Sequence, residues 1–288
     1  MMALAPPEVP TIQACALLGI SRSGHYQARS PAAPAATAAA EAAVRLRDRI
    51  EALCLQFPGY GYRRVTAQLQ REGFAVNHKR VLKIMGQESL LCHIKRAFRA
   101  TTDNKHSLRR YPNLIAGLNI EGMNRLWVAD MTYIRLRTEF VYLAVILDSF
   151  SRRVVGWKLG PTLEAVLCVR ALERALAQRQ PAPGFIHHSD QGVQYASTAY
   201  VSVLEGAGAR ISMASRGNPY ENAQAESFIK TLKREEVHLV EYRDEAHARE
   251  RIGRFLDEVY NQQRLHSRLG YRPPAEFEAQ LQTAEQRY

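Results

Sequence analysis

Cysteine is scarce in this sequence, and so are long apolar runs. The four cysteines stand far apart without a CxxC motif, which argues against both a disulfide framework and a cysteine zinc site; they are Cys15, Cys54, Cys92 and Cys168. The longest apolar run, FVYLAVIL, is far shorter than the roughly 20 residues that cross a bilayer. The opening MMALAPPEVP lacks the basic and apolar regions of a signal peptide. The sequence therefore predicts a cytoplasmic protein.

Acidic residues are outnumbered by basic ones. The 288 residues include 39 lysines and arginines against 28 aspartates and glutamates, which gives a net charge of +11. Between Tyr60 and Tyr111 the ratio is twelve to three. Because no membrane-spanning run is present, this excess favours a nucleic acid over an anionic lipid surface as the polyanionic partner.

Composition divides the chain into five segments. Residues 1–29 are expected to contain a short helix, and residues 30–40, SPAAPAATAAA, have the uncharged, small-residue composition of a linker. Residues 41–100 are expected to form a basic helical region, residues 101–120 a second linker, and residues 121–288 the largest domain. A chain of this length accommodates about two domains.

Two basic helices are expected in the second half of the 41–100 segment. Tyr62–Gln70 predicts the first, and Asn77 predicts the cap of the second. The arrangement resembles a helix-turn-helix-like DNA-binding region, although a solvated basic face is an alternative interpretation. The candidate DNA contacts are Arg63, Arg64, Lys79, Arg80 and Lys83.

From residue 126 the helical period gives way to short apolar runs. LWVADMTYI, FVYLAVIL and RVVGWKLG predict three strands, and the short joints between them predict antiparallel pairing. A helix at Thr162–Gln178 and a strand at Gly184–His188 follow, then a helix at Ser197–Glu205 and a strand at Ala209–Met213. The pattern predicts an α/β fold in which helices flank a mixed five-stranded sheet.

Three acidic residues stand where this fold brings polar groups together. Asp130 lies inside the first apolar run, Asp190 follows the fourth strand, and Glu226 lies on a helix expected to begin near Pro219. Converging carboxylates repel one another unless divalent cations neutralise them, and all-oxygen ligands favour Mg²⁺ or Mn²⁺. Two such ions support phosphodiester cleavage and transfer. The alternatives are that Glu226 only pairs with Lys230 and that Asp190 only caps a strand.

The motifs around these acids resemble a known family. Thirty-five residues separate Asp190 from Glu226, as in the Asp, Asp, thirty-five, Glu signature of retroviral integrases and related transposases. In order, LWVADMTYI, LDSFSRRVVGW, HHSDQGVQY, GNPYENAQAESFIKTLKRE and YNQQRLHSRLGYRPPAEF resemble the blocks of the second-reading-frame transposases of bacterial insertion sequences. The resemblance covers about residues 60–278.

The resemblance implies a ribonuclease H-like core that cuts DNA 3′ ends and transfers strands during transposition. It implies that Asp130, Asp190 and Glu226 are catalytic metal ligands, that two Mg²⁺ or Mn²⁺ ions are bound, and that Lys233, with Lys230, positions DNA phosphate. It further implies terminal inverted repeats and target DNA as partners, a homo-oligomer on DNA, association with the nucleoid, and an upstream helix-turn-helix partner or frameshift fusion.

Several alternatives stay open at this point. Asp148 competes for the first acidic position but is interpreted as a structural turn residue, and the adjacent His187 and His188 are interpreted as structural or DNA-contacting residues rather than zinc ligands. Residues Tyr260–Tyr271 either clamp DNA or fold back on the core. The alternative functions are a non-catalytic DNA-binding regulator and a ribonuclease H-like nuclease without strand transfer.

Overall fold

The computed structural model describes residues 11–21, 32–92, 108–215 and 219–285, and the chain divides into two compact units, Met1–Ala52 and Leu53–Tyr288. The first unit contains helix α1, Thr11–Leu17, and most of helix α2, Ala32–Gln56. Most of residues 30–40, the segment expected to be a linker, lie in helix α2, since alanine has the highest helix propensity. The other domain boundaries stay predictions, since residues 93–107 lie outside the described ranges.

The basic helices lie in the second unit. Helix α3 spans Tyr62–Arg71 and helix α4 spans His78–Gln87, and the two helices are in contact. Asn77 caps α4, because its Oδ1 accepts a hydrogen bond of 2.9 Å from the backbone N–H of Arg80. Both helices and the cap agree with the sequence prediction.

Five strands form one mixed sheet. They are β1, Leu126–Arg135; β2, Phe140–Asp148; β3, Val154–Gly160; β4, Ile186–Ser189; and β5, Arg210–Met213. Their order across the sheet is β3-β2-β1-β4-β5, with β1, β2 and β3 antiparallel and with β4 parallel to both β1 and β5. The fold class expected from the sequence, a ribonuclease H-like mixed sheet with flanking helices, is confirmed.

Each face of the sheet is covered by its own helices. Helices α5, Ala165–Arg179, and α6, Thr198–Gly206, pack on one face. The approach of α5 is close, because a Cβ atom at Gly156 would lie 2.4 Å from the carbonyl oxygen of Ala171. None of the described helices is long and apolar enough to cross a bilayer.

The opposite face carries the C-terminal helices. A 3₁₀ turn at Pro219–Asn222 leads into α7, Ala223–Leu232, which continues as a π-helical turn at Lys233–Val237. Helix α8, Glu245–Arg254, runs into a second π-helical segment, Phe255–Gln263, and α9 spans Pro274–Glu285. Because side chains alternate along a strand, Asp130 faces the same side of β1 as Val128, which is the side that α7 covers.

Candidate active site

Asp130 and Asp190 come from neighbouring parallel strands. The register pairs Leu126 with Ile186 and Val128 with His188, so two further residues along each strand bring Asp130 opposite Asp190. Both aspartates line the same small cavity. Each also accepts one local backbone hydrogen bond, from the N–H of Met131 at 2.8 Å and from that of Gly192 at 2.9 Å.

Helix α7 brings Glu226 to these aspartates. The Nδ2 of Asn222, just before the helix, donates a hydrogen bond of 3.2 Å to the carbonyl oxygen of Ala129, which ties the start of α7 to the strand residue beside Asp130. Phe228 and Leu232 are buried in the core that includes Val128. Glu226 lies in the first α-helical turn, one turn earlier than the sequence predicts, because the Pro219–Asn222 turn is 3₁₀ rather than α.

The three carboxylates repel one another electrostatically. Burial raises the pKa of Asp130 to about 8, with further contributions in the same direction from Asp190 and Glu226; the Met131 N–H and Lys233 oppose the shift. Glu226 is held by Lys230, whose Nζ lies 3.2 Å from its carboxylate. In the described parts of the chain, no three histidine, cysteine or acidic side chains already have the arrangement of a metal site.

The two lysines of α7 and its extension have different surroundings. Lys233 is half-buried, with its Nζ 4.6 Å from the centroid of the Tyr133 ring, and burial lowers its pKa while Asp130 acts in the opposite direction. Lys230 is exposed over 71% of its side chain. Lys233 thus lies within the site, whereas Lys230 lies at its rim.

Asp148 has the surroundings of a structural residue. It is fully buried at the end of β2, and its carboxylate accepts hydrogen bonds from the backbone N–H groups of Asn124, Phe150 and Ser151 at 2.6–2.9 Å. These bonds close the turn between β2 and β3, in agreement with the interpretation of Asp148 as a turn residue.

The adjacent histidines are buried on opposite faces of β4. A ring nitrogen of His187 lies 2.9 Å from the Tyr200 hydroxyl, and one of His188 lies 2.8 Å from the Ser212 hydroxyl. Burial lowers the pKa of His187 to about 3 and that of His188 to about 4. Both rings are neutral and inaccessible to DNA. Of the two roles expected from the sequence, structural or DNA-contacting, the structural one therefore remains.

The stability of the protein is expected to fall when the pH drops below about 6.5. Burial lowers the pKa of His187 to about 3 and that of His266 to about 2, while both titrate near 6.5 in the unfolded chain. At these two histidines only the unfolded state gains protons in this window, so their contribution to stability is present above pH 6.5 and is lost as the pH falls towards the folded values. The raised pKa of Asp130 acts in the opposite direction and offsets part of the loss. Each histidine lowers the free energy of unfolding by up to about 1.4 kcal/mol for every pH unit by which the pH falls.

Urea denaturation at pH 7 and pH 5 measures this loss. His187→Gln should show a shallower dependence on pH than the native chain, since one of the groups that take up protons on unfolding is gone. Equal stability of the native chain at both pH values would contradict the prediction.

The basic helices present most of their predicted DNA contacts to solvent. Arg63, Lys79, Arg80 and Lys83 are exposed. Arg64 is half-buried, and its Nε donates a hydrogen bond of 3.1 Å to the carbonyl oxygen of Leu265.

The segment from Tyr260 to Tyr271 folds back on the protein, which was one of its two expected arrangements. Leu265 accepts from Arg64, and its own N–H donates a hydrogen bond of 2.7 Å to the hydroxyl of Tyr60. The buried Arg264 makes two hydrogen bonds of 2.7 and 2.8 Å with Glu235. The sequence analysis missed this arginine, although the block YNQQRLHSRLGYRPPAEF marked its surroundings.

Comparisons with known proteins agree with this geometry. Two integrase core domain models match residues 121–219 and 207–274, and an HTH-like domain model matches residues 41–98. The transposase for insertion sequence element IS904 of Lactococcus lactis subsp. lactis (strain IL1403) is 38% identical over 235 residues, which cover 81% of this chain and 93% of the relative. The insertion element IS600 uncharacterized 31 kDa protein of Shigella sonnei is 34% identical over 264 residues, which cover 91% and 96%.

Solved structures give a more distant likeness. The HTLV-2 integrase catalytic core domain in complex with magnesium (trimeric form) has a TM-score of 0.41 and 16% identity, over 54% of this chain and 95% of that structure. The catalytic domain of Mos1 mariner transposase has a TM-score of 0.40 and 14% identity, over 46% of this chain and 70% of that structure.

Proposed function

Given that the chain belongs to the transposases of bacterial insertion sequences, with an integrase core and an HTH-like domain, we propose that it hydrolyses DNA at the 3′ ends of its element and transfers them to target DNA. Asp130, Asp190 and Glu226 carry this chemistry, and Lys233 holds a phosphate beside them. The observation that carries the proposal is the position of Asp130 within β1 beside Asp190 at the end of β4, with Glu226 of helix α7 near enough to raise the pKa of Asp130.

The residues at this site fit a divalent cation. Burial beside Asp190 and Glu226 disfavours the charged form of Asp130, a cost that a bound cation would relieve, and all three acidic side chains offer carboxylate oxygens. This donor set suits Mg²⁺ or Mn²⁺, and we propose that Asp130, Asp190 and Glu226 hold two ions. Such ions, when bound, activate the attacking oxygen and stabilise the leaving oxygen.

The protein's own groups supply the positioning. Asn222 anchors α7 to β1, so the position of Glu226 relative to Asp130 depends on the fold rather than on a mobile loop. Lys233, on the Tyr133 ring and within the field of Asp130, offers a half-buried positive charge to a DNA phosphate. The exposed Arg63, Lys79, Arg80 and Lys83, with Arg64, are proposed to contact the terminal inverted repeats, and Lys230 a neighbouring phosphate.

The partners extend this proposal. Terminal inverted repeats and target DNA are the substrates, a homo-oligomer on DNA is the active form, and an upstream helix-turn-helix protein or frameshift fusion supplies part of the end recognition. Association with the nucleoid follows from the same DNA contacts. The sequence similarity to transposases favours this function over the non-catalytic regulator and over the nuclease without strand transfer.

Replacement of one carboxylate tests the proposal. Purified protein, alone and with its upstream partner, is incubated with labelled element-end DNA and Mg²⁺, and the native chain is expected to give cleaved and joined products. Asp190→Asn and Glu226→Gln should each reduce both products by at least about 10³-fold, because a metal ligand is lost. Glu205→Gln, an exposed glutamate of α6, is the matched control.

The pattern of products separates the functions. Cleavage without joining would favour the nuclease, and DNA binding without either reaction, even with the upstream partner, would favour the regulator. Full activity in Asp190→Asn or Glu226→Gln would show that the acidic site is assigned wrongly.

A further inference from the structure

A second cavity, of about 230 Å³, lies on the other side of helix α7 from Asp130. Four arginines line it: Arg64, Arg152, Arg264 and Arg268. Helix α7 contributes Gln224, Ser227 and Thr231 to the same wall. The cavity thus combines guanidinium groups with hydroxyl and amide side chains, all of which donate hydrogen bonds to phosphate oxygens.

The positive charge of this cavity is only partly neutralised. Glu235 pairs with Arg264, and the Asp148 carboxylate in the cavity wall is already engaged by backbone N–H groups. Within the described ranges, neither Arg152 nor Arg268 forms a salt bridge.

Arg152 is half-buried, and one nitrogen of its guanidinium lacks the partner that a buried donor requires. Its Nε is buried without a hydrogen bond within the described part of the chain, and its backbone has a φ of 65°, in the left-handed region that non-glycine residues rarely adopt. Burial and the neighbouring Arg268 both lower its pKa. An anion between Arg152 and Arg268 would satisfy the buried donor and neutralise both charges.

The cavity lies beside the proposed catalytic site. Successive residues of an α-helix are about 100° apart around its axis, so Glu226 faces Asp130 while Ser227 faces the cavity. The thickness of one helix, about 10 Å, therefore separates the cavity from the carboxylates, a distance that a DNA strand covers within a few nucleotides.

We propose that this arginine cavity binds a backbone phosphate of the DNA strand that flanks the scissile phosphate, with Arg152 and Arg268 as its main ligands. The inference rests on the proposed DNA-cleaving and DNA-joining function. It adds a positioning site that lies apart from the carboxylates and whose two main ligands are outside helices α3 and α4. Phosphate is the chemical group recognised, so the base sequence at that nucleotide is not read.

DNA binding without metal tests this site separately from catalysis. The affinity for an element-end duplex is measured over a range of salt concentrations for the native chain, Arg152→Gln and Arg268→Gln. Each variant is expected to bind about tenfold more weakly. The slope of log affinity against log salt concentration should become shallower by about the contribution of one phosphate contact. Arg210→Gln, which removes an exposed arginine at the start of β5, is the matched control and should bind like the native chain.

A neutral phosphate shows whether the contact is local. Duplexes in which one methylphosphonate replaces each phosphate in turn should weaken binding by the native chain most at one position near the scissile bond. A methylphosphonate at that position should not weaken binding by Arg152→Gln any further. At every other position it should weaken binding by as much as it does for the native chain. Equal affinity of Arg152→Gln and the native chain, or equal losses for both at every position, would overturn the proposal.

Thermal melting distinguishes a ligand site from a structural role. Arg152→Gln should melt at or above the temperature of the native chain, because it removes a buried donor without a partner. A lower melting temperature together with weaker binding at every phosphate would assign Arg152 to the fold. If the native chain did not cleave DNA, the proposed function would be refuted. A position-specific phosphate contact would in that case still support the arginine cavity as a phosphate site.

Discussion

Asp130→Asn is expected to abolish DNA cutting and joining and, in the same protein, to raise the melting temperature without metal. The loss of activity follows from the loss of a proposed metal ligand and should be at least about 10³-fold. The gain in stability follows from the buried position of Asp130 beside Asp190 and Glu226, since asparagine has nearly the same shape and no charge. We expect an increase of about 1–3 kcal/mol in the free energy of unfolding.

Urea denaturation and thermal melting at pH 7.5, with a chelator present, measure this gain. Asp257→Asn is the matched control, because Asp257 has 47% of its side chain exposed and its ion pair with Arg174 lies at the surface. Asparagine keeps the side-chain oxygen that accepts a hydrogen bond from Trp157 Nε1. Its stability should change by less than about 0.5 kcal/mol. Destabilisation by Asp130→Asn would instead identify Asp130 as a structural residue.

Addition of Mg²⁺ should reverse the ranking of the two proteins. The native chain is expected to gain melting temperature as Mg²⁺ is titrated, because the cation binds the folded state and relieves the repulsion among the carboxylates. Asp130→Asn should gain little. A rise of equal size in both proteins would show that the stabilising cation binds elsewhere.

The sheet could be predicted from the sequence because its signals are local. The apolar runs around Trp127 and Val145 have the length of strands, and the short joints between the first three strands leave only antiparallel pairing. Residues 30–40 show the limit of composition, since the same small residues are typical of a linker and of a helix, and the helix that begins at Ala32 follows from alanine propensity.

The acidic site could be predicted from the sequence for the same reason, whereas the arginine cavity could not. Asp130 lies within its strand and Asp190 directly follows its own, and the parallel pairing of the two strands brings both residues together. The contact between Tyr60 and Leu265 joins residues 205 positions apart, and the cavity beside it combines Arg64 with Arg268. No periodicity or spacing predicts such a contact, because it depends on how the C-terminal segment packs against residues far away in the sequence.

That packing leads to the second large expected effect, which is the loss of stability in Glu235→Gln. Glu235 and Arg264 have only 4% and 3% of their side chains exposed, and Glu235 also pairs with Arg234. The substitution leaves Arg264 buried without a counter-charge in a cavity already lined by arginines, so the free energy of unfolding should fall by about 3–5 kcal/mol. Urea denaturation measures the loss, and hydrogen exchange should show weaker protection of α3.

An exposed pair provides the control for this substitution. Glu241→Gln breaks an ion pair of 3.3 Å with Arg137 in which both side chains are mostly exposed. Screening by water makes such pairs worth little, and the change should stay below about 1 kcal/mol. A similar small change in Glu235→Gln would contradict the prediction.

Replacement of both partners distinguishes the unpaired charge from the lost hydrogen bonds. In Glu235→Met with Arg264→Met the cavity wall keeps most of its volume and no charge is left unpaired, so most of the stability lost in Glu235→Gln should return. The hydrogen bonds of Tyr60 and Arg64 to the backbone of Leu265 do not depend on either side chain and should hold α3 in place. If the double variant were as unstable as the single one, the pair would stabilise the protein through its hydrogen bonds rather than through its balance of charge.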